Sequence, residues 1–242
     1  MTTILALDTS TDACSCAVLI NGELHERFAV LPRQHAKELL PMVRALLQEL
    51  DLGLAALDAI AFGRGPGSFT GLRIAAGVTQ GLAYGANLPV IPVSTLAALA
   101  LQAREVAAGR AVLSLIDARI DEVYWALFKA AAVPGPYPHL PSRAEEDVLP
   151  QLIGLEQLSA PEAITIDATL TGSLLAVGSG LALSARFPAL LSARLATRLP
   201  DEHPRAGAIA RIASVLHGRG VRVAAQDVEP LYMRDQVAKV PL

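Results

Sequence analysis

Four apolar residues in a row, Ile4-Leu5-Ala6-Leu7, open the chain as a strand buried on both faces would. A second strand is predicted over Cys14 to Ile20. It is followed by Asn21-Gly22, a pair suited to a tight hairpin because a type I′ turn needs positive φ at both positions. The return strand, Glu23 to Val30, alternates, with Leu24, Phe28 and Val30 on one side and Glu23, His25 and Arg27 on the other, so it is half exposed. Leu39, Leu40, Val43, Leu46, Leu47 and Leu50 then recur at helical spacing, with Pro41 marking an early turn or a kink. Ala59 to Phe62 makes a strand, Gly63-Arg64-Gly65-Pro66-Gly67 a glycine-rich loop, and Phe69 to Tyr84 a helix. Val90 to Val93 is a further strand, and Ser94 is placed to cap a helix through Leu96, Leu99 and Leu101. The order β-β-β-α-β-α-β-α predicts an α/β lobe with a mixed sheet and helices on its faces.

The pattern then repeats. Ala111 to Asp117 is again an apolar strand ending in Asp, and an offset of 109 residues (117 less 8) lays Asp117 on Asp8 and Asp121 on Asp12. The same offset lays Val123–Phe128 over Cys14–Leu19, which points to duplication of a β-rich half. The boundary falls between 1–104 and 105–242, with the last segment, Val221 to Leu242, free to belong to either lobe. Pro134, Pro136, Pro138 and Pro141 mark an irregular stretch. Leu174 to Val177 reads as a strand before Gly178-Ser179-Gly180. Pro204 and Gly218 frame a helix through Ile209, Ile212 and Leu216.

Composition sharpens this picture in two places. Hydrophobic residues are 52% and charged ones 18%, which excludes intrinsic disorder. The apolar stretch from Leu72 to Val93 is broken by Arg73, Gln80, Asn87 and Pro89, so a membrane span is not expected. The net charge of -3 gives no bulk attraction to nucleic acid. Cys14 and Cys16 lie two apart on one strand, pointing to one face without favouring a bridge. A reducing cytoplasm and the absence of a signal peptide are expected.

Candidate chemistry is sparse. Asp8-Thr9-Ser10 at a strand end, facing Asp117 on the matching strand, could hold hydrated Mg²⁺ and phosphate oxygens; equally, both aspartates could simply bond the turns that follow them. The Gly63 to Gly71 stretch could cradle an anion at a helix N-terminus or serve as a tight strand-to-helix connection capped by Ser68 or Thr70. It is not a Walker loop, since the lysines are Lys37, Lys129 and Lys239. Gly77, Gly81 and Gly85 stand four apart on one helix. Each costs ~1 kcal/mol of propensity, which implies close approach of another backbone, either the leucine-rich helix of residues 36–50 or another subunit. None of His25, His35, His139, His203 and His217 stands three or four residues from another. Ser68 lies outside any G-x-S-x-G elbow, and a peptidase reading lacks a nucleophile–base pair.

Several stretches together resemble the bacterial TsaB (YeaZ) family: Ile4 to Ser10, Gln34-His35-Ala36-Lys37-Glu38-Leu39-Leu40-Pro41, Gly65-Pro66-Gly67-Ser68-Phe69-Thr70-Gly71-Leu72-Arg73-Ile74 and Val93 to Leu96. Ile116 to Arg119, Glu122-Val123-Tyr124 and Pro230-Leu231-Tyr232-Met233-Arg234 fit it too. The resemblance implies an actin-like (ASKHA, ribonuclease H-like) fold of two related lobes, each a mixed sheet flanked by helices. It implies a non-catalytic, cytoplasmic subunit required for threonylcarbamoyladenosine at position 37 of tRNAs reading ANN codons. In that pathway the paralogue TsaD transfers threonylcarbamoyl from threonylcarbamoyl-AMP, and the ATPase TsaE joins the complex.

The same resemblance implies a partner surface on the first lobe, mapping to Leu39, Leu40, Val43, Leu47, Ile74, Gly77, Val78, Gly81 and Gly85, that pairs with TsaD or, when alone, with a second copy. Gly65, Gly67, Ser68, Thr70, Gly71 and Arg73 form its structural loop. Asp8, Thr9, Ser10 and Asp117 remain as vestigial phosphate-side candidates, with no metal and no resident cofactor, ATP or ADP being expected only in the assembled complex. tRNA is expected to be met through that complex. The competing reading is an actin-like ATPase or small-molecule kinase using Asp8 and Asp117.

Overall fold

The computed structural model describes residues 2–129, 149–167 and 170–233. The proline-rich stretch 134–141, His139, Arg234 and Lys239 lie outside the described residues.

The first sheet runs in the order β3-β2-β1-β4-β5, from strands β1 (Thr3–Asp8), β2 (Ala13–Ile20), β3 (Glu23–Val30), β4 (Ala59–Gly65) and β5 (Val90–Ser94). β1 to β3 are antiparallel neighbours, while β4 and β5 join β1 in parallel. Asn21 and Gly22 turn the β2–β3 hairpin at φ 52° and 91°, as a type I′ turn requires. The second sheet consists of β6 (Ala111–Arg119), β7 (Glu122–Lys129), β8 (Gln151–Ser159), β9 (Leu174–Val177) and β10 (Leu195–Leu199), in the order β10-β9-β6-β7-β8. Its pairing matches the first strand for strand: β6 with β7 and β7 with β8 antiparallel, β6 with β9 and β9 with β10 parallel. Two lobes of one topology make this an actin-like, ribonuclease H-like α/β fold.

Helices cover both faces of the first sheet. Alternation along β1 sends Leu5 and Leu7 to one side, where α1 (His35–Glu49) and α2 (Phe69–Ala86) bury Leu39, Val43, Leu46 and Ala83 against them. α1 continues through Pro41. Ile4 and Ala6 face the other side, covered by α3 (Thr95–Gln102) and α6 (Ala206–Gly218). α6 reads as buried around most of its girth because it lies in this layer: Ala206, Ile209, Ala210 and Ala213 are fully buried. The chain therefore crosses back to the first lobe after β10. It stays there, since Val223 pairs with Val90, and the Leu231 N–H donates to the Arg64 carbonyl at 2.7 Å. Ser94 caps α3 by accepting from the Ala97 N–H at 3.1 Å. α3 and the short α4 (Arg104–Ala107) also back the second sheet through Leu96, Leu99, Ala103 and Ala107. The far face of that sheet is closed by α5 (Ala189–Arg194) and by 3-10 turns at 161–163 and 179–186. Among the described residues, no helix is long and apolar enough to cross a membrane.

Candidate functional site

The glycine-rich segment and the Asp8-Thr9-Ser10 tripeptide explain each other. A Cβ on Gly63 would collide with the Asp8 carboxylate, one on Gly71 with the Thr9 carbonyl, and one on Gly67 with the Ser10 carbonyl. Three glycines four residues apart thus serve three consecutive residues at the end of β1. Hydrogen bonds close the contact: the Ser68 N–H donates to the Ser10 carbonyl at 2.7 Å, and the Thr9 hydroxyl to the Gly71 carbonyl at 2.7 Å. Ser68 also caps α2, accepting from the Gly71 N–H at 3.4 Å, while Thr70 is exposed. Gly65, at φ 112°, packs beside Leu72 and the Leu231 carbonyl. Arg73 lies over the Phe69 ring at 3.8 Å and donates from Nε to the Tyr232 hydroxyl at 2.9 Å, tying the C-terminal segment to the loop. The segment is a connection built around β1.

Asp8 is 0% exposed. Its Oδ1 accepts from the Ser10 N–H at 3.1 Å and hydroxyl at 2.9 Å, while Oδ2 is buried with no hydrogen-bond partner among the described residues. Burial pushes its pKa up to about 7, with the two Ser10 bonds opposing. A hydrated divalent cation needs a carboxylate it can reach, and Asp8 is shut away from the cleft. Burial likewise raises the Cys14 and Cys16 thiols to about 11 and about 12, on the core face beneath α1.

The cleft between the lobes has a volume of about 370 Å³ and is lined by Ser10, Thr11, Asp12 and Ser68 from the first lobe and Asp117, Arg119, Tyr124 and Ser179 from the second. The carboxylates at the two strand ends do not face each other across it. Asp117 lines the cleft, Asp8 does not, and Asp12 takes the opposite wall. Arg119 spans the gap, 3.3 Å from Asp117 and 3.6 Å from Asp12. Arg119, Ile120 and Asp121 all have positive φ (63°, 52° and 60°), held by the Arg119 N–H on Asp117 Oδ1 at 2.8 Å and by Arg186 on Asp121 at 3.0 Å. Gly178 and Gly180 admit the 179–186 turn against Leu115 and Val123, and the Ser179 hydroxyl accepts from the Asp117 N–H at 3.1 Å.

Two features of the cleft region escape sequence reasoning. Thr11 Oγ1 meets His203 Nδ1 at 3.1 Å, though 192 positions separate them. Glu156 on β8, its side chain 9% exposed, pairs with Arg64 at 3.0 Å and accepts from Ser94, bridging the lobes. Neither pair leaves a local spacing signal. Among the described residues, no three His, Cys, Asp or Glu side chains gather as a metal site.

The expected partner face divides in two. Leu39, Val43 and Leu47 are core residues under α1 (0%, 2% and 8% exposed) and present nothing to a partner, because their spacing is the inward stripe of that helix. Leu40 is exposed, and Ile74 and Val78 are half-buried. Gly77, Gly81 and Gly85 are exposed, and among the described residues a Cβ on any of them would meet nothing within 4 Å. Packing against α1 therefore does not account for the glycine stripe.

Comparison with known proteins gives a consistent picture. The family model described as TsaD, tRNA N6-adenosine threonylcarbamoyltransferase, matches residues 25–242. The chain is 38% identical over 235 residues to the tRNA threonylcarbamoyladenosine biosynthesis protein TsaB of Haemophilus influenzae, covering 97% of this chain and 94% of that protein. It is 36% identical to the TsaB of Escherichia coli, covering 97% and 96%. A solved structure described as YeaZ from Pseudomonas aeruginosa superposes with a TM-score of 0.82 at 40% identity, covering 96% of this chain and 100% of that one.

Proposed function

The chain belongs to the bacterial TsaB (YeaZ) family, and from that premise we propose that it acts in tRNA threonylcarbamoyladenosine biosynthesis as a non-catalytic subunit. Its partner in this reading is the TsaD transferase, which performs the transfer to adenosine 37, with TsaE joining them in the cytoplasm. A second copy of the chain occupies the same face when TsaD is absent. The observation that carries the reading is the α2 stripe of Gly77, Gly81 and Gly85, open to solvent, with Ile74 and Val78 half-buried on the same helix and Leu40 exposed on α1. Each glycine costs the helix about 1 kcal/mol relative to alanine, and among the described residues nothing packs on the stripe to offset that cost. Close backbone approach by a partner helix offsets it. The kinase alternative asks for both strand-end carboxylates on the cleft, and Asp8 is not on it. Nucleotide, in this reading, binds only where the assembled subunits meet, and tRNA is contacted through the complex.

The test is Gly81→Trp. The side chain enters open space, so the monomer keeps its stability while the close approach is blocked. Gel filtration with TsaD is expected to show loss of the heterodimer, and a reconstituted modification assay to lose activity with it. A complex that forms undiminished refutes the assignment of this face.

A further inference from the structure

A second cavity, of about 350 Å³, lies beside the β1–β2 turn, where α1 and α2 both begin. Arg33, His35 and Ala36 line it at the start of α1, Ser68 and Thr70 at the start of α2, and Asp12 on the turn. It shares Asp12 and Ser68 with the cleft between the lobes but takes no residue from the second lobe. A helix N-terminus carries unmet amide groups and a partial positive charge. Gln34, at the N-cap of α1, supplies no side-chain bond to them. Among the described residues, the N–H groups of Ala36 and Thr70 have no acceptor. Arg33 is exposed and, among the described residues, takes part in no hydrogen bond or ion pair.

His35 adds a group of a different kind. It is 8% exposed, and its Nε2 donates to the Ala13 carbonyl at 3.2 Å, which fixes the tautomer of the neutral ring. Nδ1 is then an acceptor, without a partner among the described residues and not sealed from solvent. With the ring buried almost completely, the cavity it lines is where Nδ1 can find one. The other acceptor on the wall is the Asp12 carboxylate, whose charge Arg119 faces at 3.6 Å.

Donors thus surround the cavity, with two acceptors set among them. Sulfate has only acceptor oxygens, so it would leave Nδ1 unmet and repel the Asp12 carboxylate. Hydrogenphosphate has the same tetrahedral shape and the same double negative charge, with one O–H left to give. We propose that this cavity binds inorganic hydrogenphosphate. The Arg33 guanidinium, the Ala36 and Thr70 N–H groups and the Thr70 hydroxyl donate to its oxygens, and its O–H donates to His35 Nδ1. The volume leaves room for several waters beside the ion, each taking about 30 Å³. The site needs no partner subunit and stands or falls independently of the proposed function.

The test is isothermal titration of the full chain with inorganic phosphate and with sulfate at pH 7.5, at an ionic strength held constant with chloride. Phosphate is expected to saturate a single site at millimolar concentration or below, and sulfate to bind about tenfold more weakly, as one unmet buried acceptor would cause. Arg33→Gln, at an exposed position and so tolerated by the fold, weakens phosphate binding by roughly tenfold, as loss of one charged hydrogen bond would. Arg44→Gln, exposed further along α1, leaves it unchanged. His35→Gln keeps a donor for the Ala13 carbonyl but lacks the second nitrogen, and is expected to narrow the preference for phosphate over sulfate. Equal affinity of the native chain for the two anions, no saturation by phosphate at millimolar concentration, or equal loss in the two arginine variants overturns the proposal.

Discussion

Replacing Asp8 by asparagine removes a carboxyl group whose ionisation the fold penalises. The native group titrates at about 7 against an ordinary value of 3.8, chiefly because it is buried. The sign follows from proton binding: between these two values the native state holds a proton that the unfolded chain has released, so stability falls as pH rises. Below about pH 4 both states are protonated and the group contributes no penalty. Above about pH 7 both are ionised and the loss is complete. About three pKa units at 1.36 kcal/mol each give a total near 4 kcal/mol, or about 1.4 kcal/mol per pH unit in the window. The substituted amide keeps an oxygen to accept from Ser10 but cannot ionise, and whatever its second hydrogen costs is the same at every pH. The diagnostic is therefore the slope of the difference between variant and wild type. Urea unfolding of both proteins at half-unit steps from pH 4 to 8.5 is expected to show Asp8→Asn gaining on wild type up to about pH 7 and running parallel above. A difference that stays flat across the window refutes the reasoning, since it would mean that native Asp8 ionises as freely as in the unfolded chain.

The two sets of glycines give opposite expectations. Gly71→Ala drives a methyl group into the Thr9 carbonyl and is expected to cost about 2–3 kcal/mol in urea midpoint analysis, whereas Gly77→Ala, with open space above it, stabilises the dilute monomer by about 0.5–1 kcal/mol. Equal effects at both positions would contradict the packing described. Cys14 and Cys16, buried and raised to about 11 and about 12, are expected to react with Ellman's reagent at pH 8 only after unfolding, and rapid labelling of the native chain would place them at the surface.

The first lobe is legible in sequence because its signals are local. Asn21-Gly22 specifies its own turn, Ser94 caps the helix it precedes, and the apolar runs of β1 and β6 announce a duplication that the two sheets share strand for strand. The glycine-rich segment stands out as unusual but is ambiguous in purpose, since the backbone that demands Gly63, Gly67 and Gly71 belongs to a strand far earlier in the chain. Helical periodicity locates the stripe of Leu39, Val43 and Leu47, yet an apolar stripe marks burial without saying against what, and these residues are core. The location of α6 is hidden for the same reason. Ionic links across the lobes, such as Arg64 with Glu156, depend on two chain segments meeting in space, and no spacing rule encodes them.

The seating of α6 on the first sheet has a consequence for how the protein is made. Strands β1 to β5 leave the ribosome early, but the helix that shields Ile4, Ala6, Ala17 and Ile91 is synthesised more than a hundred residues afterwards. Throughout that interval the nascent sheet has one greasy side covered only in part, by α3. The growing polypeptide must either stay loosely collapsed or be held by a chaperone until α6 has emerged, so the emergence of α6, not completion of the first half, sets the moment at which the N-terminal lobe becomes native.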